Sequence, residues 1–564
     1  MKIKSALNIA FCVLCATSFA GVPKCYRNPI WADIPDMGLC SDGKHFYMVS
    51  TTMHLAPGAP IMQSDDMVHW KTVSYAFPRL PDNEPRYNLG VNLETGAADK
   101  STAYGQGQWA SSLRYHNGKF YLWFVMNGTG GFIYTADKAE GPWELYSQPG
   151  FMHDGSLFFD DDGSAYIAHG DGWITALTPD LKDRDTKKLD ENTIDRSDET
   201  ALLEGTSLFK HDGWYYRMMV SAFMPGLPRR EVCYRSKSLR GPWEKKIILQ
   251  TEFDRCGGIG QGCVVEKDGE WWALVFQDRG GVGRTPCVMP VVWTDDWPML
   301  GNKDGSAIPN DVAQPYADVS GFMGADEFED NSKLSLYWQW NHNPIDNAWS
   351  LTERPGWMRL KTARVVSNLY LAPNTLTQRT CGPMCNGWIK LDTTNMKDGD
   401  VCGLAAFQGE SATLNVIKAA GKKVLLMRSE KSVMEEPGHK VKTVEYNQKE
   451  TVDLKRDIVY LRARLDYHWG ENWAYMDYSL DGVKWRPIGD RVRMEFDLAR
   501  MFMGTKFAIF NYATKETGGW VDVDWFRLET LGHEERVSGN GERIPRAKRA
   551  AQAVARGVGT GNGG

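Results

Sequence analysis

One arrangement of polar and apolar positions recurs along the first half of the chain. An Asp or Asn, a Gly and one or two further residues lead into a pair of aromatic or apolar positions. It appears as Asp42-Gly43-Lys44-His45-Phe46-Tyr47, Asn117-Gly118-Lys119-Phe120-Tyr121, Asp162-Gly163-Ser164-Ala165-Tyr166, Asp212-Gly213-Trp214-Tyr215-Tyr216 and Asp268-Gly269-Glu270-Trp271-Trp272. Each copy predicts a tight hairpin turn opening onto a β-strand, because Asx-Gly pairs accept the positive φ angles such turns need. Most copies are followed by a second apolar strand, a polar turn and a tryptophan, as in Ser64-Asp65-Asp66-Met67-Val68-His69-Trp70, Ala139-Glu140-Gly141-Pro142-Trp143 and Leu239-Arg240-Gly241-Pro242-Trp243. A repeat of about fifty to seventy residues suits a four-stranded blade with functional loops, so residues 26–305 are expected to form a five-bladed β-propeller.

Beyond the repeat the pattern changes. Residues 306–324 are rich in Asn, Asp, Gly, Ser and Pro and read as a linker. From 325 to 532 the chain is again strand-like without the propeller repeat. Alternating runs such as Val459-Tyr460-Leu461-Arg462-Ala463-Arg464-Leu465 and Trp520-Val521-Asp522-Val523-Asp524-Trp525 predict a half-solvated antiparallel β-sandwich, jelly-roll-like in character. The whole is expected to be all-β. The last stretch, 533–564, is basic and Gly-rich and cannot bury a core, which predicts a disordered tail. At the other end, Lys2 and Lys4, an apolar run over Ala6–Ala16 and the small residues around Ala20 read as a signal peptide over 1–20, implying a secreted or periplasmic bacterial protein.

Composition narrows the function classes. A formal net charge of -6 gives no reason to expect nucleic acid, and past the N-terminus no apolar run is long enough to span a membrane. The 22 Trp, 22 Tyr and 22 Phe suit packed sheets and carbohydrate-stacking surfaces alike. The cysteines beyond the leader are scattered and odd in number. Cys381 and Cys385 form the only tight pair, which could make one local bridge but lacks the further ligands of a structural zinc site.

A propeller site draws single residues from separate blades, so acids at inner-strand starts are the candidates. Asp36, in Ile34-Pro35-Asp36-Met37, precedes the first blade. Asp154, in His153-Asp154-Gly155-Ser156-Leu157, opens the third. Glu204, in Leu202-Leu203-Glu204-Gly205-Thr206, opens the fourth. Glycoside hydrolysis needs one carboxylic acid to protonate the leaving oxygen and one carboxylate to activate water. The apolar setting of Glu204 suits the acid, and Asp36 suits the base.

At these residues the chain resembles glycoside hydrolase family 43. The resemblance runs through Asn28–Asp36, Thr51–Gly58, Gly107-Gln108-Trp109-Ala110, the Asp154 and Glu204 segments and Phe276–Arg284. In the second domain it includes Tyr337–Pro344, Trp349–Gly356 and Asn374–Arg379, which look like the β-xylosidase-type branch. It implies an inverting exo-acting β-xylosidase, with α-L-arabinofuranosidase or dual activity as the alternative and a catalytically silent carbohydrate-binding protein as a more distant one. Asp36 would be the general base, with Asp33 its competitor, Glu204 the general acid and Asp154 the residue that tunes and orients that acid. Arg284 would hold sugar hydroxyls, Trp109 would form an aromatic wall, and Met53 and His54 would line the pocket. The implied partner is plant cell-wall polysaccharide, xylan or arabinoxylan. No cofactor is required. Many family members carry a metal-associated histidine near the propeller axis where this chain has Gly260, so a structural calcium is doubtful and no metal ligand is assigned.

Overall fold

The computed structural model describes residues 27–532 apart from 223, 225, 227, 254–255, 302–315, 436–438 and 469–470. The leader, the first part of the expected linker and the basic tail lie outside the described residues.

The architecture is all-β. Five sheets of four principal strands form the blades of a propeller, and two larger sheets form a sandwich after it. The inner strands are Gly38–Ser41, Gln108–His116, Ser156–Phe159, Leu202–His211 and Cys256–Lys267. They pack around one axis, each against the next and the fifth against the first. All five Asx-Gly turns join an inner strand to the second strand of its blade. Asn117, Asp212 and Asp268 take φ of 49°, 48° and 57°, the left-handed conformation these turns demand. Antiparallel strands alternate in direction, so every such turn lies at one end of the propeller and every inner-strand start at the other. That second end collects the candidate acids.

The ring is closed by the N-terminal segment. Ile30 N and Ile34 N donate to the carbonyls of Pro286 and Arg284 in blade five at 2.8 and 2.9 Å. Asn28 exchanges two side-chain hydrogen bonds of 3.0 Å with the backbone of Val288. Of the segment read as a linker, the described part is packed: Tyr316, Val319, Phe322 and Met323 are buried.

The sandwich does not stand apart from the propeller. Its first sheet begins with a propeller strand, Leu55–Ala56, which pairs with Gln339–Asn341. The largest hydrophobic core runs unbroken from Ile30, Trp31 and Met37 to Phe507 and Phe526. In the middle of this interface Asp33 is wholly buried. Its carboxylate accepts from the Lys506 ammonium at 3.0 Å, Gly504 N at 2.8 Å and Arg284 N at 3.0 Å. Burial alone would raise the Asp33 pKa, but Lys506, Arg284 and the two backbone donors together hold it below the usual value. Gly283, at φ 100°, cannot be replaced here, because a Cβ would sit 2.3 Å from the Asp33 carboxylate. Cys381 and Cys385 are buried free thiols rather than a bridge: Cys381 N donates to Cys385 Sγ at 3.4 Å.

Removing one partner of a buried pair strands the other charge, at a cost of about 3–5 kcal/mol. Lys506→Met should therefore split thermal unfolding into separate propeller and sandwich transitions, with Asp33→Asn added to Lys506→Met recovering part of the loss. Calorimetry showing one unshifted transition in Lys506→Met would rule out this pair as the joint.

Candidate active site

Asp36, Asp154 and Glu204 each stand at the start of, or just before, an inner strand of a different blade, and the fold brings them together at one end of the axis. Asp36 and Asp154 take φ of 52° and 48°, conformations that tight inner-strand entries impose and that Asp tolerates better than most residues. Asp36 is buried and fully engaged. Thr51 Oγ1 donates to its Oδ2 at 2.8 Å and Arg284 Nη1 to its Oδ1 at 2.8 Å. Each oxygen keeps a second lone pair, so the carboxylate can still accept from a water.

Arg284 is itself nearly buried. Its second amino group donates to the Phe502 carbonyl at 3.1 Å and its guanidinium lies 4.6 Å from the centre of the Phe502 ring. The arginine thus orients Asp36 and carries a sandwich residue into the site. Trp109 stands edge-on to Phe502 at 6.4 Å and to His153 at 5.6 Å, so these three rings form an aromatic wall. Met53 packs behind that wall with Leu55 and Met503.

His54 does not reach the pocket. It is 0 % exposed, clasped between the rings of Tyr104 and His342 at 4.7 and 4.8 Å. Burial lowers its pKa to about 3, which leaves a neutral imidazole in the domain interface. Asp33, the rival base, is likewise excluded from the pocket by its interface pairing.

Asp154 Oδ2 accepts from Gly205 N at 3.1 Å, which fixes the two acidic loops against each other. Gly205 takes φ 66° and the side chain of Gln261 fills the space a Cβ would need. His153, quoted in the sequence motif but given no role there, supplies the missing charge. Its Nε2 lies 3.7 Å from Asp154 Oδ2 and 3.9 Å from Glu204 Oε2. Burial raises the Asp154 pKa to about 7, with the Glu204 and Asp36 charges adding to the rise and His153 opposing it. Burial works against the His153 cation, yet the Glu204 contact and the surrounding carboxylates outweigh it and lift that pKa to about 8. At neutral pH an imidazolium thus sits against an acid pair, in the kind of environment that shifts titrations at reaction sites.

The axis below these acids does not fit a calcium ion, which needs six to eight oxygen ligands. It is a cavity of about 30 Å³. The Arg114 guanidinium donates there to Ser156 Oγ at 2.9 Å and to the carbonyls of Leu113, Leu39 and Leu208 at 2.9, 3.4 and 3.3 Å. Those oxygens are therefore already committed to a fixed cation. A Cβ at Gly260 would lie 2.9 Å from Val220 Cγ2 and 3.0 Å from Arg229 Cγ, so the space for a side chain is also filled.

Residues 26–298 match the sequence profile of glycosyl hydrolases family 43, and residues 325–529 match that of the β-xylosidase C-terminal concanavalin A-like domain. A non-reducing end α-L-arabinofuranosidase of Bacteroides ovatus is 31% identical over 63% of this chain and 68% of its own length. The chain belongs to glycosyl hydrolase family 43. A β-xylosidase of Formosa agariphila is 29% identical over 90% of both proteins. Among solved structures, a bifunctional GH43-CE protein of Bacteroides eggerthii superposes with a TM-score of 0.79 and 37% identity, over 89% of this chain and 63% of that one. A second family 43 enzyme, engineered to display both endo-xylanase and exo-arabinofuranosidase activity, gives 0.77 and 28% over 90% of this chain and all of its own.

The titration of this family 43 pocket is open to test. Replacing His153 by Phe removes the cation that restrains Asp154. The Asp154 carboxyl should then titrate above its value of about 7, as followed by carbon NMR of selectively labelled Asp. An unmoved titration would mean that His153 carries no charge there.

Proposed function

We propose that this family 43 glycoside hydrolase is an exo-acting, inverting β-xylosidase that removes xylose from the non-reducing ends of xylo-oligosaccharides or xylan. The observation that carries the reading is the convergence of three carboxyls, from three blades, beside an aromatic wall that a sandwich residue completes. In the reaction, Asp36 takes a proton from water while the water oxygen attacks the anomeric carbon. Glu204 gives its proton to the leaving oxygen as the glycosidic bond breaks, and the net result is one water consumed and two hydroxyls formed. Asp154 and His153 hold and tune the acid. Arg284 aims Asp36 through its 2.8 Å hydrogen bond, and the wall of Trp109 and Phe502 accepts the apolar face of the sugar. A pocket closed by the Phe502 loop suits one terminal residue, which is the basis for exo action.

The relatives support a second activity. One is an α-L-arabinofuranosidase, so release of arabinose from arabinoxylan is the alternative. The axial arginine supports catalysis without a metal, and the apolar N-terminal segment supports action outside the cytoplasm on plant cell-wall polysaccharide. Among the described residues no helix is long and apolar enough to cross a membrane.

The purified protein should hydrolyse aryl β-D-xyloside and, to a smaller extent, aryl α-L-arabinofuranoside, with chelator leaving the rates unchanged. Glu204→Gln should lower kcat by about 100-fold or more on a poor leaving group, the scale of general acid catalysis. Proton NMR of the first product should show α-xylose, since inversion converts the β-linkage. β-Xylose as the first product would overturn the role of Asp36, and a wild-type protein inert on both substrates would overturn the activity itself.

A further inference from the structure

Phe502 and Arg284 cover the pocket beside Asp36, whereas beyond Glu204 and Asp154 the third blade presents aromatic surface to solvent. Phe151 is 42% exposed and Trp173 is 41% exposed. Phe151 stacks on His153, with ring centres 6.3 Å apart and planes 16° from parallel. Trp173 stacks in the same manner on His169, at 6.3 Å and 23°.

Strand register places both pairs at the acid end of the propeller. Ser156, two residues after Asp154, pairs with Ala168, and the adjoining His169 pairs with Trp173. With strands about 4.8 Å apart, Trp173 lies two strands, or about 10 Å, outward from the inner-strand start. That distance suits a chain of sugars better than a single ring.

The shelf is braced from below. Arg217, wholly buried, donates to the carbonyls of Gly172 at 2.8 Å and Trp173 at 3.1 Å. Arg184 donates to the carbonyls of Pro149 and Phe151, both at 2.8 Å. Gly170 N donates to the His153 carbonyl at 2.7 Å, joining the two loops. Two buried or half-buried arginines spent on loop carbonyls keep both exposed rings in fixed positions, and preorganised rings lose little entropy when a ligand stacks on them.

We infer that Phe151, His153 and Trp173 form a leaving-group subsite that receives the reducing-end sugars of a pentose oligosaccharide. The inference rests on the hydrolase reading above and adds to it a preference for chain length. The occupant follows from the position of the acid. Glu204 must stand against the glycosidic oxygen, so the departing sugar extends past Glu204 toward His153, and the aromatic faces continue in that direction. The apolar faces of pentose rings, which carry no exocyclic hydroxymethyl group, can lie flat on them. Contacts this far from the broken bond raise the rate for longer substrates by using remote binding energy at the reacting centre.

The test compares wild type with Trp173→Ala and Trp173→Phe on xylobiose, xylotriose and xylotetraose. Trp173 touches none of the three carboxyls, so its effect should depend on chain length. The ratio of kcat/KM for xylotetraose to that for xylobiose should fall about fivefold or more in Trp173→Ala, the scale of one aromatic contact, and recover in Trp173→Phe. A ratio equal to wild type, or a loss of the same size on every substrate including aryl xyloside, would overturn the subsite. Binding gives a readout independent of turnover. In a Glu204→Gln background, calorimetric affinity for xylotetraose should weaken when Trp173 becomes Ala, and equal affinity would also overturn it. Failure of the hydrolase reading shows differently, as a wild-type protein that cleaves neither aryl xyloside nor aryl arabinofuranoside.

Discussion

The buried carboxylate of Asp33 is the joint on which the site depends. It is shared between the domains: Arg284 N comes from the propeller, while Gly504 N and Lys506 come from the sandwich. Three residues on, Asp36 is held by the side chain of the same Arg284. Docking of the sandwich and aiming of Asp36 therefore share one arginine and one short loop. A buried ion pair adds little net stability by itself, because desolvation consumes most of the Coulomb gain. Its value here is positional. It defines one docking geometry out of the many that an apolar interface would tolerate, and that geometry delivers Phe502 to the pocket.

Around this joint the charges are distributed unequally. Asp36 faces the guanidinium of Arg284 at 2.8 Å. Asp154 and Glu204 face His153, a cation that comes and goes near neutrality. Burial raises the pKa of Asp154 in that pair to about 7, so this carboxyl can hold a proton near neutrality. The division comes from an arginine on one side and a histidine on the other.

Much of this was legible in the chain itself. The five Asx-Gly pairs announce the blades; at Asn117, Asp212 and Asp268 the loop has two residues and its positive φ leaves few alternatives to Asn, Asp and Gly, whereas the Asp42 and Asp162 copies lie in longer connections. The three acids stand out as charges at strand starts in apolar surroundings. Other features were hidden for identifiable reasons. Asp33 and Asp36 differ by three residues in one motif, and only the position of Lys506, more than four hundred residues away, separates structural pairing from a place in the pocket. His54 adjoins Met53, which packs behind the aromatic wall, yet the Leu55–Ala56 strand carries it into the interface. Phe502 lies in a loop without periodicity, so nothing local marks it as part of the site. Arg114 looks like one charge in an ordinary inner strand until the ring closes around it.

The enclosure on one side and the exposure on the other follow from the same topology. A propeller alone presents a shallow depression, open all round its rim. The sandwich leans over the Asp36 side because the chain returns there, through Leu55–Ala56 and Gln339–Asn341, to extend one sheet across both domains. Blade three lies outside that shared sheet, so its aromatic residues keep their solvent faces. Direction along a substrate is thereby built into the molecule: a terminal sugar enters the covered pocket, and whatever is attached to it must lie over the uncovered blade.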